Sequence, residues 1–259
     1  MNKSMGNVFA VLCVLAMAAA CAAPAIAQTE VKEKPPMYSY VGNWSIPRAQ
    51  WTEMDKSIAG DQATLAKAFS GGTIVAYGND TNLVHQSDGY THDDWWSSMS
   101  MAGLLNVLEQ FYASGSPTSP VLASATKHSD NIYVSRYYNW HPGSWKGVYT
   151  HGSSYKLKAD APDDAVETIS KNIVVPLLEK MLAEGAIHEY EVDTEAIHSD
   201  APGTFWIFYI AATPEGLDKV SAALREASKA NPLRGPAFGS MVDYSAHRDY
   251  LARTNATYK

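Results

Sequence analysis

Residues 72 to 85 read GTIVAYGNDTNLVH and residues 185 to 198 read GAIHEYEVDTEAIH. Gly, Ile, Tyr, Asp, Thr and His recur in the same order at a constant offset of 113 (72→185, 74→187, 77→190, 80→193, 81→194, 85→198). A chain that writes one segment twice points to two copies of one unit, each solving the same packing problem, and this narrows the available folds more than any single motif does.

Read outward from each copy, the patterning gives one order of elements twice. Met37 to Ile46 (MYSYVGNWSI) reads as a strand, Pro47 opens a helix to about Phe69, and Gly71-Gly72 stops it. Thr73 to His85 and Thr91 to Ser100 (THDDWWSSMS) follow as strands, and Met101 to Ala113 (MAGLLNVLEQFYA) spaces its apolar residues as a helix. In the second copy Gly147 to Lys158 reads as a strand and Asp163 to Glu184 as a helix stopped by Gly185. Ala186 to His198 and Gly203 to Ala212 (GTFWIFYIAA) are the next strands, and Thr213 caps a helix with Pro214 in its first turn that reaches about Lys229. After each last helix stands a His-x-Asp, His128-Ser129-Asp130 and His247-Arg248-Asp249, at an offset grown to 119 by six loop residues. Residues 245 to 253 (SAHRDYLAR) read as a helix with Asp249 and Arg253 at ion-pair spacing. The expected units are residues 37–140 and 147–259, with 28–36 as a linker.

A strand-helix-strand-strand-helix unit closed by a final short element places helices on one face of an antiparallel sheet. The other face also carries large groups, at Trp95-Trp96 and Phe205-Trp206-Ile207-Phe208, and two copies can cover it by packing sheet against sheet. In this the chain resembles the dimeric α/β-barrel superfamily, whose ferredoxin-like units pair through their sheets, here as a tandem duplication. The shared G-x-I-x-x-Y-x-x-D-x-x-x-x-H, the GYTH at Gly89 to His92 and the H-x-D before a C-terminal Arg are similar to those of a group of uncharacterised secreted bacterial proteins. The resemblance covers roughly residues 37 to 259 and implies an α+β fold of two tandem βαββα units forming an intramolecular barrel. Members of the superfamily include cofactor-independent monooxygenases, small-molecule isomerases and haem-using enzymes, with pockets between sheet and helices or between paired sheets. None of their catalytic signatures maps onto this sequence, so the resemblance supplies a fold and no site.

Lys3, an apolar run from Val8 to Ala23, Pro24 and Ala25-Ile26-Ala27 follow the order of a secretory signal peptide cleaved after Ala27. The run is short, alanine-rich and broken by Pro24, which argues against a membrane span. A lipoprotein anchor at Cys21 fits less well, because Ala18 stands where a leucine-like residue is usual. Both cysteines, Cys13 and Cys21, fall within the leader, so a mature chain has no thiol for disulfides, catalysis or metal binding. Losing Lys3 takes the formal charge from −7 to −8. An acidic chain without a basic run argues against nucleic acid or an anionic membrane as partner, and the expected location is periplasmic or secreted.

His85 and His198 each end the second strand of a unit, and histidine exchanges a proton near neutral pH. Tyr77 shares parity with His85, and Tyr190 with His198, so an unbroken strand would put each pair on one face. The same residues suit a structural role, the histidine closing a strand end while Asp80-Thr81 and Asp193-Thr194 set a turn. His128 and His247 could be bases oriented by their aspartates if they lie on strands, whereas the helical reading of 245–253 favours an ion pair. His85, His92, Asp93 and Asp94 offer divalent-metal ligands, but the second copy has no matching carboxylate pair, and no metal or cofactor is assigned. Ser153-Ser154-Tyr155-Lys156 and Ser129-Asp130-Asn131 imitate β-lactamase motifs in the wrong order and without K-T-G. No nucleophile elbow, phosphate loop or dinucleotide turn is present.

The resulting expectation is a pocket for a small apolar or aromatic molecule, with His85, His198, Tyr77 and Tyr190 as catalytic candidates and His92, Trp95, Trp206, His128 and His247 as binding candidates. Most other aromatic residues are assigned to the core between the sheets. Enzyme, non-catalytic carrier and ligand-free scaffold all stay open at this level, as does association of chains.

Overall fold

Alternating apolar residues become strands, and apolar residues three or four apart become helices, along most of the chain. The computed structural model describes residues 31–87, 89–199 and 202–259; the expected leader with Cys13 and Cys21, and residues 28–30 of the expected linker, lie outside the described residues. The first half contains β1 (Met37–Ser45), α1 (Trp51–Ser70), β2 (Ala76–Asn82), β3 (His92–Ser98), α2 (Met101–Ser114), a short α3 (Pro120–Ala123) and β4 (Lys127–Trp140). After the two-residue β5 (Ser144–Trp145) come β6 (Tyr149–Leu157), α4 (Ala165–Ile169), α5 (Val175–Ala183), β7 (Ile187–Ile197), β8 (Thr204–Ala211), α6 (Pro214–Ala230), α7 (Arg234–Met241) and β9 (Val242–Tyr258).

All strand pairs are antiparallel, and the ladder runs β2-β3-β1-β4-β7-β8-β6-β9 before closing on itself through β2 and β9, with β5 added beside β9. The order 2-3-1-4 in the first half is matched by 7-8-6-9 in the second. Eight strands thus form a closed antiparallel barrel with the helices outside. Two sheets stacked face to face are not what forms. The halves join edge to edge at β4–β7 and β9–β2, which pairs the backbone groups that two separate sheets would leave open at four edges.

The main core of the first half lies between the barrel's outer face and the helices, where Tyr40, Tyr77 and Trp96 pack with Leu65 of α1 and Leu104, Val107 and Phe111 of α2. Burying each such side chain contributes about 1.5–3 kcal/mol. The repeat extends into this packing. Ser100 and Thr213 each cap a helix by accepting from the N–H of the glycine three residues on, Gly103 and Gly216. A Cβ on either glycine would come within 3.0 Å of a backbone carbonyl, that of Thr73 or Ala186 respectively. All three pairs (100→213, 103→216, 73→186) keep the offset of 113.

Three local readings need correction. Residues 245–253 are strand, not helix, because β9 fills the gap between the open edges of β6 and β2. The closing element of each half is its longest strand, 14 residues in β4 and 17 in β9, where a short one was expected. The helix expected over 163–184 is interrupted by a π-helical segment, Ser170–Val174, just before Pro176. Proline has no N–H for the regular ladder and crowds the carbonyl four residues back, and the widened turn relieves both.

Candidate functional site

Alternate residues of every barrel strand point inward, and they enclose a cavity of about 420 Å³. Two glycines make room for its aromatic wall: a Cβ on Gly78 would come 2.5 Å from the Trp95 indole, and one on Gly152 within 3.0 Å of Phe208. Trp206 lies beside Tyr133, ring centroids 4.6 Å apart. The exposed Val84 and Gln86, on the loop after β2, line the cavity together with Lys127 and Arg248, so the cavity opens to solvent at that end.

Between these aromatic surfaces the interior is acidic. Asp80 and Asp93 face each other across β2 and β3 and share a hydrogen bond. Asp80 accepts from Trp95 Nε1 at 3.3 Å and from Thr150 Oγ1 at 3.2 Å, and Asp93 accepts from the Tyr250 hydroxyl. Burial raises both carboxyl pKa values, and the charge of Asp80 raises Asp93 further, so this pair holds a proton that an exposed pair would have lost. On β7, Glu189, Glu191 and Asp193 point inward in succession. The fully buried Lys259 ammonium lies 2.5 Å from Glu189 and 3.1 Å from Glu191, and 4.6 Å from the centre of the Trp95 ring. Burial pushes Glu189 up to about 8 and raises Asp193 as well, the latter with help from the charge of Glu191. Glu189 Oε2 and Asp193 Oδ1 are buried without any hydrogen-bond partner.

Of the nine catalytic and binding candidates read from sequence, Trp95 and Trp206 line this cavity, as does Asp93, which the sequence offers only as a metal ligand. The other seven candidates lie elsewhere. β2 ends at Asn82, so His85 is not on the strand with Tyr77. Val84 and Gln86 turn to the cavity while the exposed His85 leans toward Trp51, 5.6 Å between ring centroids. His198 is likewise exposed, one residue beyond β7. Tyr77 stacks on Tyr258 in the helix-side core, and the Tyr190 hydroxyl donates to Glu179 at 2.5 Å. Both tyrosines point away from the barrel interior, and neither meets its histidine, since β2 and β7 end before His85 and His198. His92 is buried against Trp51 and held well below the usual imidazole range, at about 4, by that burial. His92 and Asp93, adjacent on β3, face opposite sides of the sheet and cannot ligate one ion together. Among the described residues no group of three or more His, Cys, Asp or Glu is arranged to hold a metal.

The two His-x-Asp pairs are true structural counterparts on strands. His128 Nε2 lies 3.2 Å from Asp130 with its ring on Trp44, and His247 Nε2 lies 3.4 Å from Asp249 with its ring on Tyr155. Each Nδ1 sits 3.0 Å from a carbonyl of the neighbouring strand, Asn43 or Ser154. A smaller pocket of about 70 Å³ lies beside His128, between the outer face and α1 and α2, and includes Asp94 and Asn79.

Sequence reasoning gave the acids of the cavity no interior role: Asp93 enters it only as a metal ligand, Asp80 and Asp193 only as turn residues, and Glu189 and Glu191 not at all. The signal was in EYEVD itself: Glu189, Glu191 and Asp193 alternate with Tyr190 and Val192, so one face of that strand had to be acidic.

No protein-family model matches the chain, and no curated protein matches it either. Solved structures do. A candidate monooxygenase from Lactobacillus acidophilus NCFM aligns over 87% of this chain and 97% of its own, with a TM-score of 0.60 and 11% identity. A candidate monooxygenase from Fusobacterium nucleatum aligns over 87% and 95%, with a TM-score of 0.60 and 7% identity. An anthrone oxidase-like protein aligns over 88% and 94%, with a TM-score of 0.54 and 9% identity. The chain has the dimeric α/β-barrel fold.

Proposed function

We propose that this chain is an exported small-molecule-binding protein whose ligand occupies the barrel interior, and that the barrel arises from two tandem ferredoxin-like units. The cavity carries the binding reading: about 420 Å³ lies within the range of small-molecule sites, with an aromatic wall and a few converging polar groups. Trp95, Trp206, Phe208 and Tyr133 suit an apolar or aromatic frame. The name of one similar structure, an anthrone oxidase-like protein, agrees with such a ligand by analogy of fold. Matched strand orders, matched helix caps and paired His-x-Asp contacts support the duplication. Because both seams close within one chain, the barrel is complete without a second copy. No helix among the described residues is long and apolar enough to cross a membrane. Export rests on the leader pattern and is tested by sequencing the N-terminus of protein recovered outside the cytoplasm.

If the bound molecule is also transformed, the buried Asp80–Asp93 pair is the group placed to exchange a proton with it, through the atoms that line the cavity. A thermal-shift screen of planar aromatic compounds tests the binding reading, since a ligand that binds only the folded state raises the melting temperature. Hits should lose their effect in Trp206→Ala, and incubated hits checked by mass spectrometry separate an enzyme from a carrier. Shifts that survive Trp206→Ala unchanged would place the ligand outside the barrel.

A further inference from the structure

Asp80 and Asp193 occupy corresponding positions, inward on β2 and β7, yet their surroundings differ. Asp80 is saturated by protein: Thr150, Trp95 and the opposing Asp93 all bond to it. The residues opposite Asp193 are Trp206 on β8 and Ser135 on β4, and the Ser135 side chain bonds to the carboxyl. Asp193 lines the cavity at 2% exposure, and its Oδ1 is buried with no partner. Glu189 Oε2, farther along the same strand, is in the same condition. A buried acceptor left unmade costs about 1–3 kcal/mol, so a site that keeps two of them beside a cavity is shaped for a donor that arrives from outside.

The charge inventory says which kind of donor. Six carboxyl groups line the cavity, Asp80, Asp93, Glu189, Glu191 and Asp193 inside and Asp249 at the rim, and the one ammonium among the inner five in the described residues, Lys259, is engaged by Glu189 and Glu191. The basic groups at the rim have other contacts: Lys127 lies over the Tyr90 ring and Arg248 donates to the carbonyls of Ser245 and His247. Trp206 and Phe208 flank the acidic row as partners of Asp193 and Glu191 in the β7–β8 ladder, offering ring faces that attract a cation. Resting on the reading of the barrel interior as a ligand site, we propose that the cavity selects an organic cation, an ammonium carried on an aromatic frame, with its N–H groups on Asp193 Oδ1 and its ring between Trp206 and Phe208.

Burial keeps protons on Asp193 and on the Asp80–Asp93 pair across the barrel, so an entering cation displaces a proton and its affinity rises with pH. The other titratable groups facing Asp193 are Glu189, Glu191 and Lys259, with Tyr250 bonded to Asp93 opposite.

The test titrates the full mature chain, at mildly alkaline pH, with 2-phenylethylammonium, the neutral 2-phenylethanol and the anionic phenylacetate, and with magnesium and calcium chloride in parallel. Charge-assisted hydrogen bonding to a carboxylate should make the ammonium bind about tenfold more tightly than the alcohol, with phenylacetate weakest. Asp193→Asn should erase that preference by weakening the ammonium about tenfold more than the alcohol. Equal affinities for ammonium and alcohol, or a preference that survives Asp193→Asn, would overturn the cation assignment and leave the barrel site standing. Stabilisation by a metal ion without any by the ammonium would overturn it in favour of an inorganic cation. Binding of no organic probe would remove the ligand-site reading and this inference with it. The wild-type series decides the charge class even if the variant folds poorly.

Discussion

Replacing Asp94 by Asn should change how stability depends on pH, by an amount that follows from where the carboxyl sits. Asp94 is in register with Asn79 and Gly42 on the outer face of the barrel and lines the small pocket beneath α1 and α2. Burial first, then the charges of Asp61 and Asp80, raise it from 3.8 to about 7. Between those two values the folded chain keeps a proton that the unfolded chain has released, so stability is full below the lower value and declines as pH rises through the upper one. The interval is roughly three pH units at 1.36 kcal/mol each, about 4 kcal/mol in all. Asp94 is partly exposed, and screening by solvent reduces the expected loss to about 2–4 kcal/mol. Asparagine does not titrate, so the variant lacks this decline. Urea unfolding of both proteins in steps from acid to alkaline pH should show the variant gaining on the wild type as pH rises, with unchanged m-values. Parallel stability curves would refute the claim that a desolvated carboxyl stands at position 94.

Substituting His85 and His198 by Ala together should change stability by less than about 0.5 kcal/mol and leave interior binding intact, because both side chains are exposed and neither lines the cavity. Loss of binding or turnover in a folded double variant would return the chemistry to the strand ends. Gly152→Ala puts a methyl group within 3.0 Å of Phe208 and 3.1 Å from Tyr250, which pushes an aromatic ring into the cavity. Thermal unfolding should register about 1–3 kcal/mol of lost stability, and calorimetry a clear weakening of any interior ligand. Unaltered affinity would mean the ligand binds elsewhere. Lys259→Met leaves Glu189 and Glu191 buried without their ammonium and should cost about 3–5 kcal/mol at mildly alkaline pH, above the value of about 8 to which burial lifts Glu189. In acid, where both carboxyls are protonated, the cost should shrink; an equal loss at both pH values would trace it to packing against Trp95 and Trp140 instead.

The doubled architecture could be read from sequence because its cues are local. A hydroxyl three residues ahead of a glycine caps a helix whatever the rest of the chain does, and Ser100 and Thr213 do so. The interior site could not be read this way. Tyr250 reaches Asp93 across 157 positions, and Lys259 reaches Glu189 across 70. Nothing near either residue announces its partner. Parity was the one available guide, and it was applied to the wrong face: the shared parity of Tyr77 and His85 suggested a functional surface, but β2 stops at Asn82 and Tyr77 belongs to the helix-side core. Once one parity of a strand is committed to helices, the other must face the barrel, and on β7 that other parity is Glu189, Glu191 and Asp193.

The same logic governs the C-terminal segment. Asp249 and Arg253 have the spacing of a helical ion pair, worth about 0.2–0.5 kcal/mol. Against it stand the open edges of β6 and β2, each with a row of backbone groups that only another strand can satisfy. Fourteen β6 and β2 residues are paired with β9, Tyr149 with Arg253 and Asp80 with Thr254 among them. Even at the low end of about 0.5 kcal/mol per net hydrogen bond, several such bonds outweigh one exposed pair, and closure of the barrel decides the conformation. His247 and Asp249 share a face for that reason. Their contact follows from the topology, and sequence spacing alone could not have established it.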